Sequence, residues 1–191
     1  MSIDNESWYL TIASSSNPTV RGYLAEQICL SRIARHGLSR VGSKLGDTMG
    51  VEYFEQTPNW TTFFRSGDTL RLYLPKAFNF PDIDAAILQR DLQQNTVHLY
   101  PIQITLATKH KDSASLFYQH TWGIWERGLS SFAKVESTFV WISENGSTQS
   151  TVPGKTRVTW ARAVQLNPEY KSFHMSLKEV DERLYNVLCE S

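Results

Sequence analysis

Between Pro18 and about Arg35, Val20, Leu24, Ile28 and Ile33 recur near the 3.6-residue period, with Tyr23, Ala25 and Leu30 between them. This spacing predicts an amphipathic helix. It opens after the polar SSSNP stretch at 14–18 and stops at Gly37. Gly42, Gly46 and Gly50 then space out a loop. Val51–Phe54, Trp60–Phe64 and Leu70–Leu74 have strand character. Ile83–Leu88 and Val97–Thr105 are stronger, being rich in β-branched residues and joined by the polar stretch Gln89–Asn95, which suits a hairpin loop. Ser113–Ala133 reads as a second long helix, with Leu116, Phe117, His120, Ile124 and Trp125 at helical spacing. Phe139–Ile142 is wholly apolar, as a strand buried on both faces would be. Glu144-Asn-Gly-Ser is turn chemistry, and Thr156–Ala161 and Lys171–Met175 are weaker strand candidates. Ser176–Leu188 is a terminal amphipathic helix with Ser176 and Glu179 placed as a capping box. The order of elements predicts a mixed α/β fold with one central sheet, residues 1–191 forming a single domain.

Composition narrows the function classes. The chain has 191 residues, 41% hydrophobic and 12% aromatic, enough to build a core without staples. Nineteen basic residues balance nineteen acidic ones, so nucleic-acid binding would need a local patch rather than a global field. Two cysteines exclude a disulfide-rich scaffold and a four-cysteine zinc site. Cys29 and Cys189 both read as buried free thiols. No apolar run is long enough for a membrane span, and MSIDNESWYL has no basic region followed by an apolar core, so no signal peptide is expected. There is no GxSxG elbow, Walker A loop, GxGxxG or HExxH.

The chemistry concentrates in Phe78-Asn-Phe-Pro-Asp-Ile-Asp-Ala-Ala-Ile-Leu and the strand after it. A hairpin centred between Gln93 and Gln94 sets Asp84 opposite Gln103, with β-carbons about 5 Å apart. On the simple alternation, Ile83, Ala85 and Ile87 share one face and Asp84, Ala86 and Leu88 the other. A carboxylate and an amide oxygen are hard ligands that suit magnesium or manganese beside a phosphate. Glu26, on the first long helix, adds a second acid. The plainer alternatives are a strand-end cap for Asp84, an ordinary half-buried amide for Gln103, a solvated helix face for Glu26 and a charged loop for Lys109, His110 and Lys111.

These segments resemble the PD-(D/E)XK nuclease superfamily, with its restriction-endonuclease-like fold. Within it they are most similar to the nuclease-like domains of Crinkler and retrotransposon-hot-spot type proteins. Gly22-Tyr-Leu-Ala-Glu26 resembles the first-helix glutamate motif, Pro81-Asp-Ile-Asp84 the proline-led aspartate motif, and Ile102-Gln-Ile-Thr105 the second strand motif, in which some branches carry glutamine. Lys109-His110 resembles the positions that follow, and Phe139–Ile142 a later core strand. The resemblance implies a central mixed sheet of about four strands flanked by helices, and hydrolysis of DNA phosphodiesters with Mg2+ or Mn2+. It implies Asp84 as principal metal ligand, Gln103 and the main-chain carbonyl of Ile104 as further ligands, and Glu26 as orienting a water or second ion. It also implies an effector-like domain cut from a longer protein, and a nuclear location.

The sequence departs from the motif at 105, where Thr105 stands in place of the lysine; Lys109 is the substitute within reach. A competing expectation follows from that departure. The chain would be a catalytically degenerate module that binds nucleic acid or a protein partner. Lys109, His110 and Lys111 would contact phosphates, and Tyr118, His120 and Trp122 would stack on bases, although those aromatics read equally as core.

Overall fold

A computed structural model describes residues 6–39, 49–61, 63, 69–77, 80, 82–106, 113–144 and 171–190. Helix α1 (Glu6–Ser14) leads into α2 (Pro18–His36). Asn17 caps α2, its side chain accepting from the Thr19 and Val20 N–H groups. Gly37 ends the helix at φ 69°, a conformation open to glycine, and its N–H bonds Ile33 O at 2.8 Å. Four strands follow: β1 (Gly50–Phe54), β2 (Leu70–Pro75), β3 (Ala85–Asp91) and β4 (Thr96–Thr105). A helical crossover of α3 (Ser113–Leu116), a π-helical turn (Phe117–Thr121) and α4 (Trp122–Gly128) leads to β5 (Lys134–Ser143). Strand β6 (Lys171–Ser176) and helices α5 (Leu177–Val180) and α6 (Glu182–Glu190) complete the described elements.

The result is mixed α/β, a six-stranded sheet in the order β1-β2-β3-β4-β5-β6 with helices on both faces. β2, β3 and β4 run antiparallel in succession. The β1–β2, β4–β5 and β5–β6 pairs are parallel. The two faces bury different chemistry. Helices α1, α2, α5 and α6 cover an aliphatic core in which Ile28, Ile33, Leu72, Ile87, Ile104 and Ile142 meet. The crossover helices cover an aromatic core built on Phe54, Tyr73, Phe117, Trp125 and Phe139.

Several expectations hold. α2, β1, β2 and β6 lie where the pattern placed them, and the Ser176–Glu179 capping box forms. β5 is buried on both faces over Phe139–Ile142. Others are corrected. Glu6–Ser14 is a helix that no apolar stripe announced. Trp60, Thr61 and Phe63 are helical rather than extended, because Trp60 packs on Trp125 and Tyr73, at 4.9 and 5.9 Å between ring centroids. The long helix ends at Gly128 and slips through its π turn, where Trp122 N–H bonds back to Phe117 O. The terminal helix breaks at Asp181, whose carboxylate accepts the Leu184 N–H and the Tyr9 hydroxyl. Cys29 is buried as expected, but Cys189 is exposed. No described helix is long and apolar enough to cross a membrane. The expected loop around Gly42 and Gly46 and the strand at Thr156–Ala161 lie outside the described residues.

Gly128 marks the tightest contact between the crossover and the Trp60 segment. A β-carbon there would stand 2.0 Å from Trp60 Nε1 and 2.3 Å from its Cε2. Gly128→Ala must therefore push the indole out of its place against Trp125. The expected cost is about 2 kcal/mol, typical of overpacking, read as a lower urea midpoint with an unchanged slope. An unchanged midpoint would show that Trp60 does not brace this layer.

Candidate active site

The site forms where β3 and β4 part. Their register pairs Ala85 with Ile102 and Asp91 with Thr96, the hairpin centre expected from the sequence, so Asp84 stands opposite Gln103. The Asp84 N–H still bonds Ile102 O at 2.8 Å. Just before it the chain turns away, with Asp82 at φ 80°, a region costly for a non-glycine residue. That bend also corrects one expectation: Ile83 leaves the Ala85–Ile87 face and joins the aromatic core. The Asp82 carboxylate is tucked under the crossover, accepting from Thr121 Oγ1 at 3.3 Å with His120 Nδ1 3.8 Å away.

Asp84 is half-buried, and its carboxylate takes over where the backbone ladder stops. Oδ2 accepts the Ile104 N–H at 2.6 Å and the Gln103 amide at 2.7 Å. The Gln103 amide nitrogen also lies 3.5 Å from Ile104 O. The donor side of Gln103 therefore faces Asp84 and the Ile104 carbonyl. An amide has nearly the same outline whether nitrogen or oxygen leads, so Gln103 meets the carboxylate as a donor and would meet a cation through its oxygen.

Glu26 comes from α2, held in place by the burial of Ala25, Ile28 and Cys29 around it. It lines the same cavity of about 330 Å³ as Asp84, together with Tyr23, Tyr53, Lys76 and Phe80. Burial, followed by the charge on Glu26, pushes the Asp84 carboxyl up to about 7 from its ordinary 3.8, with the Ile104 N–H pulling the other way. Burial also raises Glu26, opposed by the Gln27 amide, which donates to Oε1 at 3.3 Å. Two acids share one partly dry cleft, and each proton eases the pair.

The expected site residues Glu26, Asp84, Gln103 and Ile104 thus come together. Thr105 lies one step further along β4, on the Gln103 side. Lys109, His110 and Lys111 lie outside the described residues. Tyr118 and Trp122 are 5% and 4% exposed in the aromatic core, because the π turn rotates both inward. That corrects their reading as a base-stacking surface; only His120 faces out. Sequence reading missed Lys76 and Tyr53. No local motif marks Lys76: only the β2–β3 register, carried onward, brings Pro75 level with Asp84, so that Lys76 follows at the cavity rim. Tyr53 needed the parallel β1–β2 pairing, which no local motif announces.

Among the described residues no three His, Cys, Asp or Glu side chains cluster as a ready metal cage. Two carboxylates, an amide and a main-chain carbonyl are nonetheless the hard oxygen set that fits magnesium or manganese, which take few protein ligands. No family model, curated protein or solved structure matches the chain.

Because both carboxyls are raised, the folded chain holds protons that the unfolded chain releases. This stabilisation is full below the ordinary carboxylate range and is lost as pH rises through about 7. Without metal, Asp84→Asn should therefore melt about 3 °C higher than wild type at pH 8, the shift that ~1 kcal/mol produces at this chain length. The gap should narrow as pH falls below about 7 and close only below the ordinary aspartate value of 3.8. A gap independent of pH would mean that burial and the neighbouring charge do not raise the Asp84 carboxyl.

Proposed function

We propose that this chain is a metal-dependent nuclease domain of the PD-(D/E)XK type that hydrolyses DNA phosphodiesters. The observation that carries this reading is the placing of Asp84, just before β3, between two partners: it shares a cavity with Glu26 of α2 and is hydrogen-bonded by Gln103 of β4. The order of elements supports it: α2, the antiparallel run β2–β3–β4, a helical crossover and the parallel strand β5. On this reading β2–β5 would be the four-stranded mixed sheet that the resemblance implies, with β1 and β6 added at its edges.

Asp84 would hold a magnesium or manganese ion, with Gln103 through its side-chain oxygen and Ile104 through its carbonyl. The ion would stabilise charge on the scissile phosphate and acidify a bound water. The chain's own part is to position and to accept protons. Asp84 is pinned by the Ile104 N–H, so its carboxylate cannot swing away. Glu26, made more basic by burial, is suited to orient the attacking water and take its proton. Thr105 can offer a hydroxyl but no positive charge.

The test is supercoiled plasmid at low salt with magnesium, manganese or EDTA, beside Asp84→Asn. Nicking should require metal and vanish in the variant, by at least a hundredfold in rate. Millimolar Mg2+ should also raise the wild-type melting point at pH 8 and leave that of Asp84→Asn unmoved. Cleavage that survives both EDTA and Asp84→Asn would sink the reading.

Thr105 favours a second reading, a nuclease fold that has kept the geometry and lost the chemistry. On that reading the folded wild type leaves plasmid intact in every condition, while Thr105→Lys, which returns a cation beside Gln103, gains metal-dependent nicking. Nicking by wild type at a rate that Thr105→Lys does not improve would remove it.

A further inference from the structure

The cavity beside Asp84 has a wall that the acid pair does not explain. Of the Phe, Tyr and Trp rings among the described residues, only Tyr23 and Tyr53 are exposed, at 43% and 61%. Both line this one cavity. They come from different elements, Tyr23 from α2 and Tyr53 from the edge strand β1, where Val51 and Tyr53 point to the α2 side opposite Phe54. The other chemistry of the wall is uneven for a polyanion. Lys76 is the single cation among the lining residues, its ammonium 3.1 Å from Glu55, and it faces two carboxylates. With a net charge of zero, the chain has no global field to draw in a duplex backbone.

We infer that this cavity takes one unpaired nucleotide, its base stacked on Tyr53 with Tyr23 beside it and its phosphate directed past Lys76 toward Asp84. The inference rests on the nuclease reading of the same site and names its substrate class as single-stranded or locally opened nucleic acid. About 330 Å³ is the lower end of the size of small-ligand clefts, room for one nucleotide unit and far too narrow for a double helix. In a duplex the faces of the bases are covered by their neighbours, so a ring can stack only where the strand is unpaired or splayed. Stacking is indifferent to base identity, so the cavity would carry little sequence preference. It would also supply the affinity that the charge balance withholds, since two acids repel phosphate and one paired lysine attracts it.

The test is fluorescence anisotropy of a labelled single-stranded oligodeoxynucleotide and of its duplex, using the full chain carrying Asp84→Asn, in EDTA so that binding is read without cutting. Single strand should bind about tenfold more tightly than duplex. Tyr53→Ala should lose about tenfold on the single strand, within the range one base–aromatic stack contributes, and nothing on the duplex. Tyr53→Phe keeps the ring and should retain the affinity, which separates stacking from a hydroxyl contact. Tyr53 is exposed, so its variants should melt with the parent. Equal or tighter binding of duplex, an ineffective Tyr53→Ala, or no binding of either probe overturns the inference. Plasmid nicking without single-strand preference would remove the stacking site and leave the nuclease reading standing. Tyr53-dependent binding by a chain that cuts nothing would do the reverse.

Discussion

A carboxylate takes the place of a backbone acceptor at the end of the β3–β4 ladder, and the rest of the site depends on that substitution. Beyond Ala85 the strand cannot continue, because Asp82 bends the chain toward the crossover. β4 nevertheless runs on to Thr105, leaving the Ile104 N–H without a ladder partner on that side. Asp84 Oδ2 accepts it, and the Gln103 amide with it. One oxygen thus finishes the sheet, and the same bonds fix the carboxylate's position at a cavity. The structural and chemical roles of Asp84 are not separable: the hydrogen bonds that a sheet end demands are those that aim the charge.

Glu26 turns that arrangement into a tense one. Its helix is anchored by Ala25, Ile28 and Cys29, which are fully buried among residues of the sheet. The helix cannot back away to relieve repulsion without opening the aliphatic core. Core packing, worth far more than a single charge pair, therefore holds two acids together against their own preference. Sites that bind ligands commonly carry such local conflict at the expense of stability. The conflict is relieved by a proton at low pH and would be relieved by a divalent cation at high pH. The same physics thus links acid stability and metal affinity at one place.

Legibility from the sequence followed the range of the interactions involved. The β3–β4 hairpin was readable because strand alternation and a polar turn fix register between neighbours in the chain, and with it the contact of Asp84 with Gln103. The α2 stripe and the Ser176–Glu179 box are local for the same reason. The misreadings came where tertiary contacts decide. Trp60–Phe63 has strand-like composition, yet the Trp60 ring is clamped by Tyr73 and Trp125. The last helix breaks because Asp181 is claimed by Tyr9, 172 residues away in sequence. Lys76 and Tyr53 reach the cavity only through the β1-β2-β3 strand order, which a single strand's pattern does not encode.

The fate of the aromatic residues shows why composition alone misplaces a binding surface. Tyr118 and Trp122 stand beside a histidine and follow a basic stretch, and in sequence they look like a stacking platform. Around the π turn both rings pack into the aromatic core, Tyr118 against Phe117 and Trp122 against Tyr118. Tyr23 and Tyr53 look unremarkable in sequence, one within a helical stripe and one in a short strand. They emerge at the surface on the side of the sheet whose buried core is mostly aliphatic. An aromatic side chain becomes available to a ligand when the layer beneath it is already closed. In this fold the layer beneath α2 is closed, and the rings left outside it line the cavity where Asp84 finishes the β3–β4 ladder.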